Sequence, residues 1–159
     1  MKKTKQNNVT IFPTTRYQGS KLKIADWIWE ELSDLKFNSI LDVMGGTGSI
    51  SHKLKQQNKK ITYNDILRFN FHIGRALIEN NTTILSKSDT TYLINRHSDV
   101  KYDTFVEDTF NDVFFLDKEN KWIDTFIGNL KTFKNKYKIS LALSCLFQAC
   151  IVKRPYNLF

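Results

Sequence analysis

Proline and glycine are scarce in this chain, two and six of 159 residues, so each one marks a place where the backbone is constrained. Cysteine is equally rare. Cys145 and Cys150 lie five apart in SCLFQACIV, which is neither a CxxC pair nor a metal-ligand spacing. That excludes a disulfide-framed scaffold and a thiolate metal centre, and the two are expected to be buried, reduced thiols of a cytoplasmic protein. His52, His72 and His97 are scattered without a metal-site spacing and are expected on solvated or helix surfaces; no metal is expected. Repeats and low-complexity linkers are missing. Long apolar runs are missing too: the longest, Ile139 to Val152, is too short to span a bilayer and contains Ser and Gln, and it reads as a buried helix. The basic start MKKTKQNN leads into no apolar signal-peptide core, so no membrane association is expected.

Acidic side chains are also in deficit, 16 against 24 Lys and Arg, giving a net charge of +8. A basic balance of this size suits polyanions such as nucleic acid or an acidic membrane surface, and it equally fits a lysine-rich solvated surface. With 41% hydrophobic residues, the chain is long enough for one domain with a real core.

Patterning supplies the architecture. Ile24, Ile28, Leu32 and Leu35 recur at spacings of 4, 4 and 3, one face of a helix, with Ser20 where an N-cap belongs. SILDVM, Ser39 to Met44, is short, apolar and bounded by turn residues, so it predicts a buried strand. A helix follows from about Ser49 to Gln57 with Ile50 and Leu54 inward, then a second strand within Lys59 to Asp65. Asp65 is placed to cap a third helix carrying Phe69, Ile73 and Leu77 on one stripe. This alternation predicts an α/β fold with a parallel sheet and crossover helices, because parallel strands need a long return connection. Only the first half of a doubly wound sheet is recognisable. Beyond Asn81 short helices and irregular segments are expected, ending in a helix from about Lys138 to Lys153. Trp27, Trp29 and Trp122 read as core or half-buried residues. The aromatics from Tyr102 to Trp122 suit a helical packing layer or a DNA-recognition element. Lys131, Lys134, Lys136 and Lys138 suit DNA phosphates or a solvated loop.

The chemistry concentrates in LDVMGGTGSIS. Gly45, Gly46 and Gly48 follow the first strand, where glycines permit positive φ and close backbone approach, and the next helix presents free N–H groups. Asp65 follows 19 residues after Gly46, at the tip of the neighbouring strand, where an acid can accept hydrogen bonds from a ribose. No glycine completes G-x-G-x-x-G, and no Gly-Lys-Ser/Thr completes a P-loop. Asp42, just before the glycines, would repel a phosphate and attract a cation. S-adenosylmethionine, with an α-amino group, a sulfonium, a ribose and no phosphate, matches that arrangement. An ordinary tight turn with nearby acids matches it as well.

TRYQGSKLKIADWI (Thr15 to Ile28), ILDVMGGTGSIS (Ile40 to Ser51) and ITYNDI (Ile61 to Ile66), in that order, resemble the D12 class of site-specific DNA adenine-N6 methyltransferases, which includes Dam-like and restriction-modification enzymes. LFQACIVKRPYNLF resembles a stretch that the family carries before its second half. The resemblance implies a partial Rossmann-like methyltransferase fold with a helical C-terminal segment, S-adenosyl-L-methionine as cofactor and double-stranded DNA as substrate. Carried over by position, Tyr17, Gly19 and Lys21 help to hold the methionine end, and a lysine there suits a carboxylate. Asp42, Gly45, Gly46 and Gly48 form the cofactor turn, Asp65 is the ribose acid, and Asn64 orients it. Met44 stands where the family often has Phe.

One motif of the family is missing. Its catalytic tetrapeptide, of the Asp-Pro-Pro-Tyr kind, holds the target amino group and stacks on the flipped base. Lys153-Arg154-Pro155-Tyr156 has Lys153 where a carboxylate or amide should stand and Arg154 where the first proline should, so no catalytic residue is assigned in this chain. The expectation is a single incomplete domain, with a cofactor-binding half over about 15–97 and a mainly helical segment over about 98–159. It would be either a truncated product or one subunit of a split enzyme whose catalytic half is a second polypeptide.

Overall fold

The computed structural model describes residues 19–153. Tyr17 and the residues from Arg154 onward lie outside the described residues.

The first described segment is a short 3-10 turn, Leu22–Ile24, running into helix α1, Ala25–Ser33. Trp29 and Leu32 pack inward, but Ile24 and Leu35 are exposed. The expected apolar face is thus shortened at both ends: the 3-10 turn changes the angular step before α1, and α1 stops before Leu35. Trp27 is exposed as well, contrary to the expectation from its size.

Strand β1, Ser39–Asp42, pairs in parallel with β2, Lys60–Tyr63, in the register Ile40 to Ile61 and Asp42 to Tyr63, and helix α2, Ser49–Gln56, makes the crossover. Inward residues Ile40, Ile61 and Tyr63 join Leu54 of α2 and Ile78 in one apolar cluster. On the other face Leu41 is exposed, so β1 is half-covered rather than buried; among the described residues no element packs on that face. The two edges of the sheet also differ. In β2 the Lys60 N–H donates to Asn38 across the ladder, and the Asn64 N–H just beyond its end donates to Asp42. The alternate Tyr63 N–H points away from β1 and donates to Glu79 Oε1 at 2.9 Å. Glu79 thereby caps the outer edge of β2, whereas among the described residues β1 ends the sheet on the opposite side.

Glu79 reaches that edge through a π turn. Helix α3, Arg68–Gly74, continues into π geometry over Arg75–Glu79, closed by Asn80 N–H to Arg75 O at 3.2 Å. The wider turn shifts the inward stripe to Ile73, Ala76 and Ile78, leaving Phe69 exposed and Leu77 half-buried, unlike the expected 3.6-residue stripe.

The rest is helical: α4, Lys87–Ile94; α5, Phe105–Thr109; α6, Asp117–Leu130; and α7, Lys136–Lys153. Leu93, Phe126, Leu130, Ala142 and Leu146 form a second apolar cluster, which α4 joins although it precedes residue 98. Asn129, fully buried, organises it: the two N–H groups of Nδ2 are shared among the carbonyls of Tyr92, Leu93 and Asn95 at the end of α4, and Oδ1 accepts from Tyr102 Oη at 2.7 Å. Asp124 accepts from the N–H groups of Val106 and Glu107 and so starts α5. Phe105, Phe110, Phe114 and Phe115 line an apolar cavity of about 780 Å³ between α5, α6 and α7.

Helix α7 links the two clusters. Its Ser140 Oγ lies 3.0 Å from His72 Nδ1 on α3, while Leu146 packs in the helical core. His72 is therefore partnered and half-buried rather than solvated, and burial, followed by the charges of Arg75 and Arg68, pulls its pKa down. His52 is likewise half-buried with a lowered pKa, chiefly from burial. His97 stacks on Tyr92 with ring centroids 4.0 Å apart. Both cysteines are free, but Cys145 is exposed, because it lies on the side of α7 that faces away from both clusters. Among the described residues no helix is long and apolar enough to cross a membrane. No group of His, Cys, Asp or Glu among them has a metal-binding arrangement.

Candidate functional site

The glycine turn lies at the C-terminal ends of both strands, where ligands bind in open α/β sheets. Its shape follows from two glycine requirements. Gly48 has φ +73° and is the N-cap of α2, a left-handed position that a side chain disfavours. Gly45 lies against the Tyr63 ring so closely that a Cβ would fall 2.0 Å from Tyr63 Cε2. The Tyr63 hydroxyl then donates to the Gly46 carbonyl at 2.6 Å, so the last inward residue of β2 supports the turn from beneath.

Asp65 fixes the turn from the side. Its Oδ2 accepts from the Gly46 N–H at 2.7 Å, and its Oδ1 accepts from the Leu67 N–H at 2.8 Å and Asn70 Nδ2 at 3.2 Å. Leu67, not Asp65, is the N-cap of α3, because the chain runs two residues further before the helix begins. A carboxylate offers about four acceptor positions, so these three donors leave room for one more. Asn64 bonds elsewhere than expected: Nδ2 donates to Val43 O at 2.8 Å, stitching the two strand ends together instead of orienting Asp65.

Asp42 ends β1 half-buried. Ser51, fully buried in the first turn of α2, donates to Asp42 Oδ2 at 2.5 Å. Above the turn, Ser20 Oγ lies 3.2 Å from Thr47 Oγ1 and 3.3 Å from Ser49 Oγ, bringing the segment before α1 onto the loop. Ser20 also accepts weakly from the Leu22 N–H at 3.4 Å, so it starts the 3-10 turn, whereas α1 itself begins after Ile24 without a side-chain cap.

Gly19, Ser20, Lys21, Asp42, Gly45, Gly46, Thr47, Ser49 and Asp65 line one cavity of about 300 Å³, together with Met44 and Ile66. Seven of the eight site residues expected from the sequence are described; Gly19, Lys21, Asp42, Gly45, Gly46 and Asp65 line this cavity, and Gly48 is buried beneath it. Sequence reasoning passed over Ser51 and Tyr63, which carry no motif signature. It also passed over Ile66, which is 93% exposed and with Met44 forms the apolar rim. The lysines near α7 are partly committed: Lys131 pairs with Asp103 and Lys138 with Asp89.

Residues 17–153 match the family described as D12 class N6 adenine-specific DNA methyltransferase. The chain belongs to that family. Among relatives, Type II methyltransferase M2.HphI from Haemophilus parahaemolyticus is 34% identical over 148 residues, covering 93% of this chain and 43% of the relative. Type II methyltransferase M.NlaIII from Neisseria lactamica is 31% identical over 78 residues, covering 46% of this chain and 23% of the relative. This D12-family chain therefore spans less than half the length of these curated relatives. No solved structure matches it significantly. For a D12-family member, a small parallel sheet flanked by helices is consistent with the α/β fold of S-adenosylmethionine-dependent enzymes.

Proposed function

We propose that this chain is the cofactor-binding part of an adenine-N6 DNA methyltransferase of the restriction-modification type. In this reading the sheet and α1–α3 form the first half of a Rossmann-like domain, within an incomplete domain whose helical segment follows. The observation that carries the reading is the placement of Asp42 and Asp65 on either side of the glycine turn, in one cavity with Lys21.

The residues fit S-adenosylmethionine. The cavity is small and amphipathic, lined by carboxylates and hydroxyls together with Met44 and Ile66, and its volume lies at the lower end of ligand pockets. Two acids suit a ligand with cationic groups and ribose hydroxyls and disfavour a pyrophosphate. Asp65 retains one acceptor position for a ribose hydroxyl, Lys21 offers a cation to the carboxylate, and Asp42 faces the amino-acid end. When bound, the cofactor supplies an electrophilic methyl group. No residue of this chain is assigned to holding the adenine, so that step belongs to another stretch of polypeptide. Among the described residues β1 is an edge of the sheet, which suits a further parallel strand, whether from the same polypeptide or from a separate subunit supplying the catalytic half. The excess of basic residues fits double-stranded DNA.

Calorimetry with S-adenosylmethionine on wild type and Asp65→Ala tests the site. Binding by wild type and a clear loss in the variant is expected; equal affinity removes Asp65 from it. Methyl transfer to duplex DNA by the purified 159-residue chain alone would overturn the assignment of catalysis to another stretch.

A further inference from the structure

Ser51 has no exposed surface, and a buried hydroxyl must be satisfied. It donates to Asp42 Oδ2 at 2.5 Å, a short hydrogen bond of the charge-assisted kind. The two residues are nine apart, on different elements: Asp42 ends β1 and Ser51 lies in the first turn of α2, with the glycine turn as the loop between them. The bond therefore closes the base of that loop. It also removes the torsional freedom of the Asp42 carboxylate, which otherwise rotates broadly about its terminal bond. Among the described residues Oδ1 takes no hydrogen bond, and Asp42 lines the cavity beside Gly45 and Gly46.

We propose that Ser51 is a positioning residue for the amino-acid end of the cofactor: by holding Oδ2, it presents Asp42 Oδ1 to the ligand's α-ammonium group. This rests on the cofactor reading above. Ser51 touches no ligand and acts only through Asp42.

The test uses two ligands, S-adenosylhomocysteine, which carries the amino-acid end, and 5′-methylthioadenosine, which lacks it, titrated calorimetrically into the 159-residue chain. Ser51→Ala is expected to weaken S-adenosylhomocysteine about tenfold, the worth of one charge-assisted hydrogen bond, and to leave 5′-methylthioadenosine within about twofold. Asp42→Asn should show the same selectivity, and the double variant should bind no more weakly than Asp42→Asn, because both act through one carboxylate. If Ser51→Ala does not fold, Ser51→Cys keeps the volume with a weaker donor and is expected to show the same selective loss. Equal losses for both ligands, no loss for S-adenosylhomocysteine, or additive losses in the double variant each overturn the proposal. Wild type that binds neither ligand overturns the cofactor reading itself.

Discussion

The Gly46 N–H donates to Asp65 Oδ2 at 2.7 Å, so the acid at the tip of β2 holds the glycine turn before any ligand arrives. Asp65→Ala leaves this donor, the Leu67 N–H and Asn70 Nδ2 without their acceptor. Urea unfolding is expected to show a loss of about 1–3 kcal/mol, on top of any loss of ligand affinity. Unchanged stability would mean that the turn is held by its other contacts, Tyr63 to Gly46 and Ser51 to Asp42 among them.

The Tyr63 ring sits between two glycines, and a Cβ on Gly74 would fall 2.0 Å from its Cδ1. Gly74→Ala is expected to destabilise the chain by about 1–3 kcal/mol through overpacking, although alanine is the better helix former. Combining it with Tyr63→Leu should cost less than the sum of the two single variants, as measured by thermal or urea unfolding.

Asn129 shares its two N–H donors among three carbonyls at the end of α4 and accepts from Tyr102 with no exposure to water. Asn129→Ala strands several buried groups at once and is expected to cost at least about 2 kcal/mol. Hydrogen exchange should show the loss concentrated in α4 and the 95–102 segment rather than in the sheet.

Asp89 and His72 both contribute to the acid limb of stability. Lys138 and Ser86 hold Asp89 well below its ordinary value, at about 2. A carboxyl depressed in the folded state contributes above its ordinary range and loses that contribution as pH falls toward 2. Asp89→Asn should flatten the fall in urea midpoint between about pH 4 and 2. His72 acts at higher pH. Its folded pKa lies below the ordinary 6.5, so its contribution is present above that value and declines as pH falls through it, when the unfolded chain gains a proton first. His72→Gln should remove the part of the decline that begins near pH 6.5.

What could be read from the sequence was whatever depends on backbone permission. Gly45, Gly46 and Gly48 stand where a side chain would clash or strain, and Asp42 and Asp65 stand at strand ends fixed by the alternation of elements, so the turn and its acids were legible. The misreadings arise where an element's neighbours decide its surroundings. β1 looks buried by composition, yet Leu41 is exposed, since covering a strand depends on elements that its own residues do not encode. Leu77 fits a 3.6-residue stripe, but the π turn delivers Ile78 to the core instead. Ser51 was illegible for a different reason: a serine in the first turn of a helix is unremarkable until the carboxylate facing it is known.

That π turn has a consequence for insertions and deletions. Arg75–Glu79 accommodates one residue more than an α-helical turn would, and the surplus is what delivers Glu79 to the Tyr63 N–H. Removing a single residue within that turn would restore ordinary winding and leave later positions near their present phase, whereas winding all five residues as an ordinary α-helix would swing every later position by about 100°. The outer edge of β2 would lose its acceptor, and Ile78 would leave the core beside Leu54 and Ile61. The winding of this turn is therefore as specific as any side chain it carries.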